Sequence, residues 1–241
     1  VTPSEPLPRA VELLWGLGSG GSRGPRRALS TEQIVDAAVT VAEQGGLVAV
    51  SMARVAQELG FTTMSLYRYV DSKDTLIELM QDRVIGLPPE LPADANWRTA
   101  LEIWARAEYR TIQRHPFWLD IPISGPPRGP NNMAWLETGL AALDDSPFPP
   151  QMKLLLLLNL SLFVISQARF ARDATDSDDF APVLRRVLDP AQFPALSAVL
   201  AEGSLDDDNP PGGTESGWAE GLFEFGLGRL LDGYAALSNT P

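Results

Sequence analysis

The stretch Ser51 to Lys73, SMARVAQELGFTTMSLYRYVDSK, constrains the fold of this chain more than any other. Met52, Val55, Ala56 and Leu59 fall at i, i+3, i+4 and i+7, the apolar stripe of a short helix, with Ser51 at the N-cap position. Gly60 follows where a left-handed residue closes a helix. Thr62-Thr63 then opens a second short helix, with Leu66 and Val70 turned inward. Two short helices joined by a turn at Gly60-Phe61 predict a helix-turn-helix. Thr63, Ser65, Tyr67, Arg68 and Tyr69 on the second helix carry hydroxyls and a guanidinium that can reach the phosphates and base edges of double-stranded DNA. Lys73 follows at the start of another helix, where an ammonium and a helix N-terminus together suit a phosphate.

Many all-α proteins hold two short helices around a glycine, so the residue types matter more than the spacing. Three runs stand out: Val55-Ala56-Gln57-Glu58-Leu59-Gly60, Ser65-Leu66-Tyr67-Arg68-Tyr69-Val70 and Lys73-Asp74-Thr75-Leu76. Ahead of them lie Ile34-Val35-Asp36-Ala37-Ala38 and Glu43-Gln44-Gly45-Gly46-Leu47. This pattern, over Leu29 to Leu79 and roughly a fifth of the chain, resembles the TetR family of bacterial transcription regulators. The resemblance implies an all-α protein with an N-terminal three-helix head and a larger C-terminal helical domain for ligand binding and dimerisation. It also implies that Thr63, Met64 and Ser65, entered through Thr62, face base edges, and that Tyr67 and Lys73 contact phosphates. Tyr69 matches a position commonly aromatic or histidine. Ala53 departs from members with a base-reading arginine there, which leaves Arg54 or Arg68 to compensate.

A net charge of −12 argues against a nucleic-acid binder, but its distribution answers the objection. Between Ser22 and Lys73 the basic residues Arg23, Arg26, Arg27, Arg54, Arg68 and Lys73 outnumber Glu32, Asp36, Glu43, Glu58 and Asp71. The excess acid lies in the rest of the chain. No cysteine is present, which excludes disulfides and thiolate metal sites, and the 241 residues suffice for one large or two modest domains. No signal peptide is read, and the most apolar run, Leu154 to Ile165, falls short of the roughly 20 residues of a membrane helix. A soluble cytoplasmic protein with no membrane association is expected.

Three segments are expected: a flexible tail over 1–22 and, as the resemblance implies, a DNA-binding head over 23–75 and a ligand-binding and dimerisation domain over 76–241. Gly16-Leu17-Gly18-Ser19-Gly20-Gly21 formally reads G-x-G-x-x-G, but no strand precedes it, and it reads as a linker. Val11 to Trp15 is either a docked helical turn or mobile. Arg26 and Arg27 belong to a basic arm that is either a solvated tail or a groove-binding extension. Ser30 with Gln33 forms a capping box, and Gly45-Gly46 end that helix. A helix from Ser72 to Val84 reads as shared between head and second domain.

Beyond it, Leu101, Trp104, Ala105, Glu108 and Ile112 share a helical stripe that ends at His115-Pro116. Helices are expected over Asn131–Leu143, over Pro150–Ala171, over Phe180–Leu200 in one or two pieces, and over Trp218–Leu237. Residues 205–215 read as a mobile loop. The resemblance implies that the 154–171 and 218–237 helices form a four-helix dimer interface, with Leu230 and Leu231 within it. Trp104, Tyr109, Trp118, Trp135 and Phe163, with the amides Asn159 and Gln167, are candidates for walling a pocket for a planar organic effector. Each aromatic also suits plain core, and each amide an interface. His115 is the one histidine; no nucleophile motif accompanies it, and no cofactor or metal is expected. The expected function is a homodimeric, ligand-responsive repressor on a palindromic operator. The alternative is an all-α small-molecule carrier with a non-functional head.

Overall fold

The computed structural model describes residues 6–17, 29–122, 125–173, 180–204 and 217–238, and every regular element among them is helical. The basic arm with Arg26 and Arg27, most of the glycine-rich linker, and the 205–215 segment lie outside the described residues. The chain divides into two compact units, Val1–Leu91 with Arg110–Ala141, and Pro92–Tyr109 with Ala142–Pro241.

The first unit holds α1 (Arg9–Leu14), α2 (Thr31–Ala49), α3 (Met52–Leu59), α4 (Thr63–Leu66) and α5 (Lys73–Ile85). It also holds the end of α6 (Trp97–Arg114), a 3-10 turn (Pro116–Asp120) and α7 (Pro130–Ala141). The expected capping box opens α2: Gln33 N–H donates to Ser30 Oγ at 3.2 Å, and Ser30 N–H donates to Gln33 Oε1 at 2.9 Å. Gly45 and Gly46 kink α2 rather than end it. Gly46 takes φ +72°, which glycine adopts without penalty, and a last helical turn runs on to Ala49. Ile34, Ala38, Val55, Leu66, Leu76 and Met80 form the centre of one core. The N-terminal turn is docked: α1 lies on α5, with Leu13 and Leu14 against the core and Trp15 Nε1 donating to the Arg128 carbonyl at 2.8 Å.

Helix α5 is tied to α7 through a buried carboxylate. Asp82 Oδ1 accepts from the Asn132 backbone N–H at 3.0 Å and from Asn132 Nδ2 at 2.8 Å, and Oδ2 accepts from Asn131 N–H at 3.3 Å. Asp82 therefore does from a neighbouring helix what an N-cap does from its own, satisfying the free N–H groups that open α7. A Cβ at Gly129 would sit inside that carboxylate, so the chain approaches Asp82 closely only because residue 129 has no side chain. Trp135 Nε1 closes the other end of the contact on the carbonyls of Ile85 (3.3 Å) and Gly86 (3.0 Å).

The second unit contains the first part of α6, together with α8 (Pro150–Asp173), α9 (Phe180–Val187), α10 (Pro194–Ala201) and α11 (Trp218–Ser238). Leu157, Leu160 and Val164 of α8 are buried, as are Phe223, Leu227 and Leu231 of α11. Leu231, expected at a subunit interface, thus belongs to the protomer's own core. The Tyr234 hydroxyl bonds the Leu156 carbonyl and Asn159 Oδ1, each at 2.8 Å. Arg106 forks onto Glu224 with two bonds of 2.8 Å, fastening α6 to α11. At 24 residues α8 is longer than its apolar run, and by length and composition it could cross a bilayer, a property that core helices of soluble domains share.

Asp82→Ala leaves the two N–H groups at the start of α7 without their acceptor. It is expected to destabilise the first unit by about 2 kcal/mol, read as a lower urea midpoint at unchanged m-value.

Candidate functional site

Gly60, at φ +71°, ends α3, and the Phe61 N–H bonds back to the Ala56 carbonyl at 2.9 Å, so the chain turns sharply into α4. Helix α4 has four residues, too few to persist alone. Leu66 and Val70, both 0% exposed, pin it to the core of the first unit. Thr62 stands at the N-cap position, but its Oγ1 bonds Ser65 Oγ at 2.9 Å and makes no cap to the backbone. What this anchoring turns outward is Met64 (73% exposed) and Tyr67 (45%), with Arg68 also exposed and Thr63 half-buried.

Ser51 caps α3 by accepting from the Arg54 N–H at 3.1 Å. The Arg54 guanidinium is held locally, donating to Gln57 Oε1 at 3.2 Å beside Glu58 at 3.9 Å. Tyr69 is half-buried and packs on the core of the first unit. Lys73 is exposed as the first residue of α5, directly after the N-cap Ser72, whose Oγ accepts from Thr75 N–H at 3.0 Å. Phe61, 37% exposed, flanks α4 and was not among the expected contacts; its signal in the sequence was an aromatic directly after the helix-closing glycine.

The predicted effector residues divide between the units. In the second, Trp104 is buried, and Tyr109 stacks on Phe223 at 4.0 Å and 11°. Phe163 stacks on the same Phe223 at 5.9 Å. Phe223 is thus the common platform, a residue that the apolar pattern of the last helix contained without distinguishing it. Asn159 is engaged by Tyr234, and Gln167 Oε1 and the Tyr109 hydroxyl are buried without a partner. Trp118 and Trp135 lie in the first unit, where Trp118 packs on the core and Trp135 is bonded to the end of α5.

Glu108, missed as a site residue although it sat in the apolar stripe of α6, is buried in the second unit. Its Oε1 accepts from the Ser161 hydroxyl at 2.7 Å, and Oε2 has no partner. Burial pushes its carboxyl up to about 8, against the downward pull of the Ser161 bond. His115 bonds Glu43 at 3.1 Å and packs edge-on against Phe117. A cleft of about 310 Å³ in the first unit is lined by Leu14, Glu78, Gln81, Arg128 and Asn132, none of them a predicted effector residue.

A helix-turn-helix whose short second helix is pinned from beneath and polar on its outer side, carried on a chain with a separate helical unit, defines a DNA-binding regulator. The sequence matches the family models "Bacterial regulatory proteins, tetR family" over residues 34–80 and "Tetracyclin repressor-like, C-terminal domain" over residues 88–237. The chain belongs to the TetR family, and is therefore a transcription regulator and not an enzyme. It is 37% identical to the HTH-type transcriptional repressor DrrR1 of Streptomyces coeruleorubidus, over 96% of this chain and 86% of that protein. Among solved structures it is similar to the TetR family protein ActR of Streptomyces coelicolor in complex with actinorhodin. That likeness has a TM-score of 0.72 at 27% identity, covering 90% of this chain and all of that one. Apo ActR superposes with a TM-score of 0.73 at 26% identity, over 89% of this chain and 98% of that one.

Two outcomes are expected. Lys73→Ala weakens binding to all duplexes alike and lowers the slope of log affinity against log salt by about one, measured by anisotropy titrations at several salt concentrations. The second concerns Glu108. The folded chain keeps this proton up to about pH 8 while the unfolded chain loses it above about 4.5, so the group's contribution makes stability fall as pH rises between those values. Glu108→Gln removes that dependence, and its melting temperature gains on the parent's from pH 5 to pH 8; parallel melting curves across that range would show a solvated carboxylate instead.

Proposed function

We propose that the chain is a dimeric cytoplasmic repressor whose paired heads hold a palindromic operator and release it when a small apolar or aromatic molecule binds the second unit. The observation that carries this reading is the outer side of α4, where Met64, Tyr67 and Arg68 stand clear of a helix anchored by Leu66 and Val70. Such a face suits the major groove, with Thr62, Thr63 and Ser65 at base edges and Tyr67 and Lys73 on phosphates. Arg54, Arg68 and Tyr69, with Arg26 and Arg27 of the arm, complete the proposed contacts.

Dimerisation is supported by the apolar surface that the protomer leaves uncovered. Leu155, Leu158 and Leu162 follow at three- and four-residue spacing on α8 and are all exposed, as is Phe225 on α11. Two-fold pairing of such a face brings two heads to one site, and a palindrome answers that symmetry.

The effector reading rests on Trp104, Tyr109, Asn159, Phe163 and Gln167 in the second unit, where stacked rings lie among buried polar atoms. Trp118 and Trp135 are proposed to act from the first unit as packing residues. The crystal structure of ActR in complex with actinorhodin is a precedent for a small molecule held by a similar fold. An effector releases the operator only by binding better to the state with low DNA affinity, and typical coupling of about 1–3 kcal/mol gives a 5- to 150-fold shift.

Selection of bound sequences from a random duplex pool tests the operator. An inverted repeat shared by the selected duplexes, bound at micromolar protein or below by the parent but not by a monomeric Leu162→Glu variant, is expected. Linkage tests the effector with actinorhodin as the first probe: the operator must weaken actinorhodin by the same factor that actinorhodin weakens the operator. A selected operator bound by a monomer, or equal actinorhodin affinities with and without operator, would sink the corresponding half of the reading.

A further inference from the structure

We propose that each operator half-site presents a thymine whose C5-methyl group packs against Met64, so that part of the operator is read by apolar contact. The inference rests on the reading of α4 as the element that enters the major groove and extends it to one base.

The polar groups at the start of α4 are partly spent on each other: Thr62 Oγ1 and Ser65 Oγ bond at 2.9 Å. Leu66 and Val70 face the core. The side chain that the helix projects furthest into solvent is therefore an apolar one, Met64, at 73% exposed. Phe61 and Tyr67, three residues before and after it in the chain, are also exposed, so apolar surface is available on both sides of Met64 in the sequence. Left in water, Met64 contributes nothing to the core, and its thioether has no proton to donate and is a weak acceptor. A base edge offering hydrogen-bond groups thus gains little from it. The major groove displays one apolar group, the thymine methyl, and a long, unbranched, polarisable side chain adapts well to a single methyl.

The test uses the full chain and the operator recovered by selection. Thymines are exchanged for deoxyuridine one position at a time, symmetrically in both half-sites, which deletes the methyl and leaves every hydrogen-bonding group. One position is expected to lose about fourfold in affinity per half-site, the worth of one buried methyl, and 5-bromodeoxyuridine there, with bromine in place of the methyl, restores it. In Met64→Ala the thymine and uracil operators bind equally, while Met64→Leu keeps the preference. Because Met64 is so exposed, the alanine variant melts with the parent, and an unchanged salt slope shows its phosphate contacts intact. An operator with no methyl-sensitive thymine, or a sensitivity that survives Met64→Ala, overturns the inference and leaves the operator reading standing. Failure to select any common sequence overturns the operator reading first, and this inference with it.

Discussion

A helix of four residues cannot hold its own direction, so everything that α4 offers to DNA depends on the burial of Leu66 and Val70. Those two side chains replace the missing helical turns by burial in the core to which α2, α3 and α5 also contribute. Gly60 makes the arrangement reachable, because only a left-handed residue at that point lets α3 end and α4 begin within three residues. The outward set follows from the inward one: with Leu66 at the end of α4 and Val70 beyond the turn that follows it both buried, Met64 on the helix and Tyr67 and Arg68 in the turn are left outside. The proposed recognition face is the complement of a packing decision.

Two buried carboxylates show how differently the two units treat the same group. Asp82 meets three N–H donors at the start of α7, so its charge is answered by hydrogen bonds and joins two helices. Glu108 meets one hydroxyl, and desolvation keeps its proton on through neutral pH. The first arrangement makes a rigid joint, as the glycine required at 129 shows. The second leaves a neutral acid with one hydroxyl partner and one unpaired oxygen in the interior of the second unit.

Much of this was legible along the chain. The caps at Ser30, Ser51 and Ser72, the closing glycine at 60 and the buried pair at 66 and 70 are local features, decided by residues within a turn or two of one another. The helix-turn-helix and its family signature are local in the same sense. The effector unit was legible only as a set of helices. Its aromatics were visible one at a time, but nothing in their spacing shows that Tyr109 and Phe163 meet on Phe223, since these three lie on separate helices far apart in sequence. Glu108 left a trace as a carboxylate at an apolar register position, and Asp82 left none, because its partners begin 49 residues away.

By itself the sequence determined that the chain is helical, where the helix-turn-helix turns, and that the head is a DNA-binding one. Short-range patterns of burial, capping and glycine placement carry that information. Only the tertiary structure decided the rest: that the N-terminal turn is docked on α5, that Gly45-Gly46 bends a helix instead of ending it, and that Leu231 is core while Leu155, Leu158 and Leu162 are uncovered. A helix that is apolar nearly all round has no preferred face in its own sequence. Which of its leucines become interior depends on the neighbour packed against it, and that neighbour, α11 against α8, lies far along the chain.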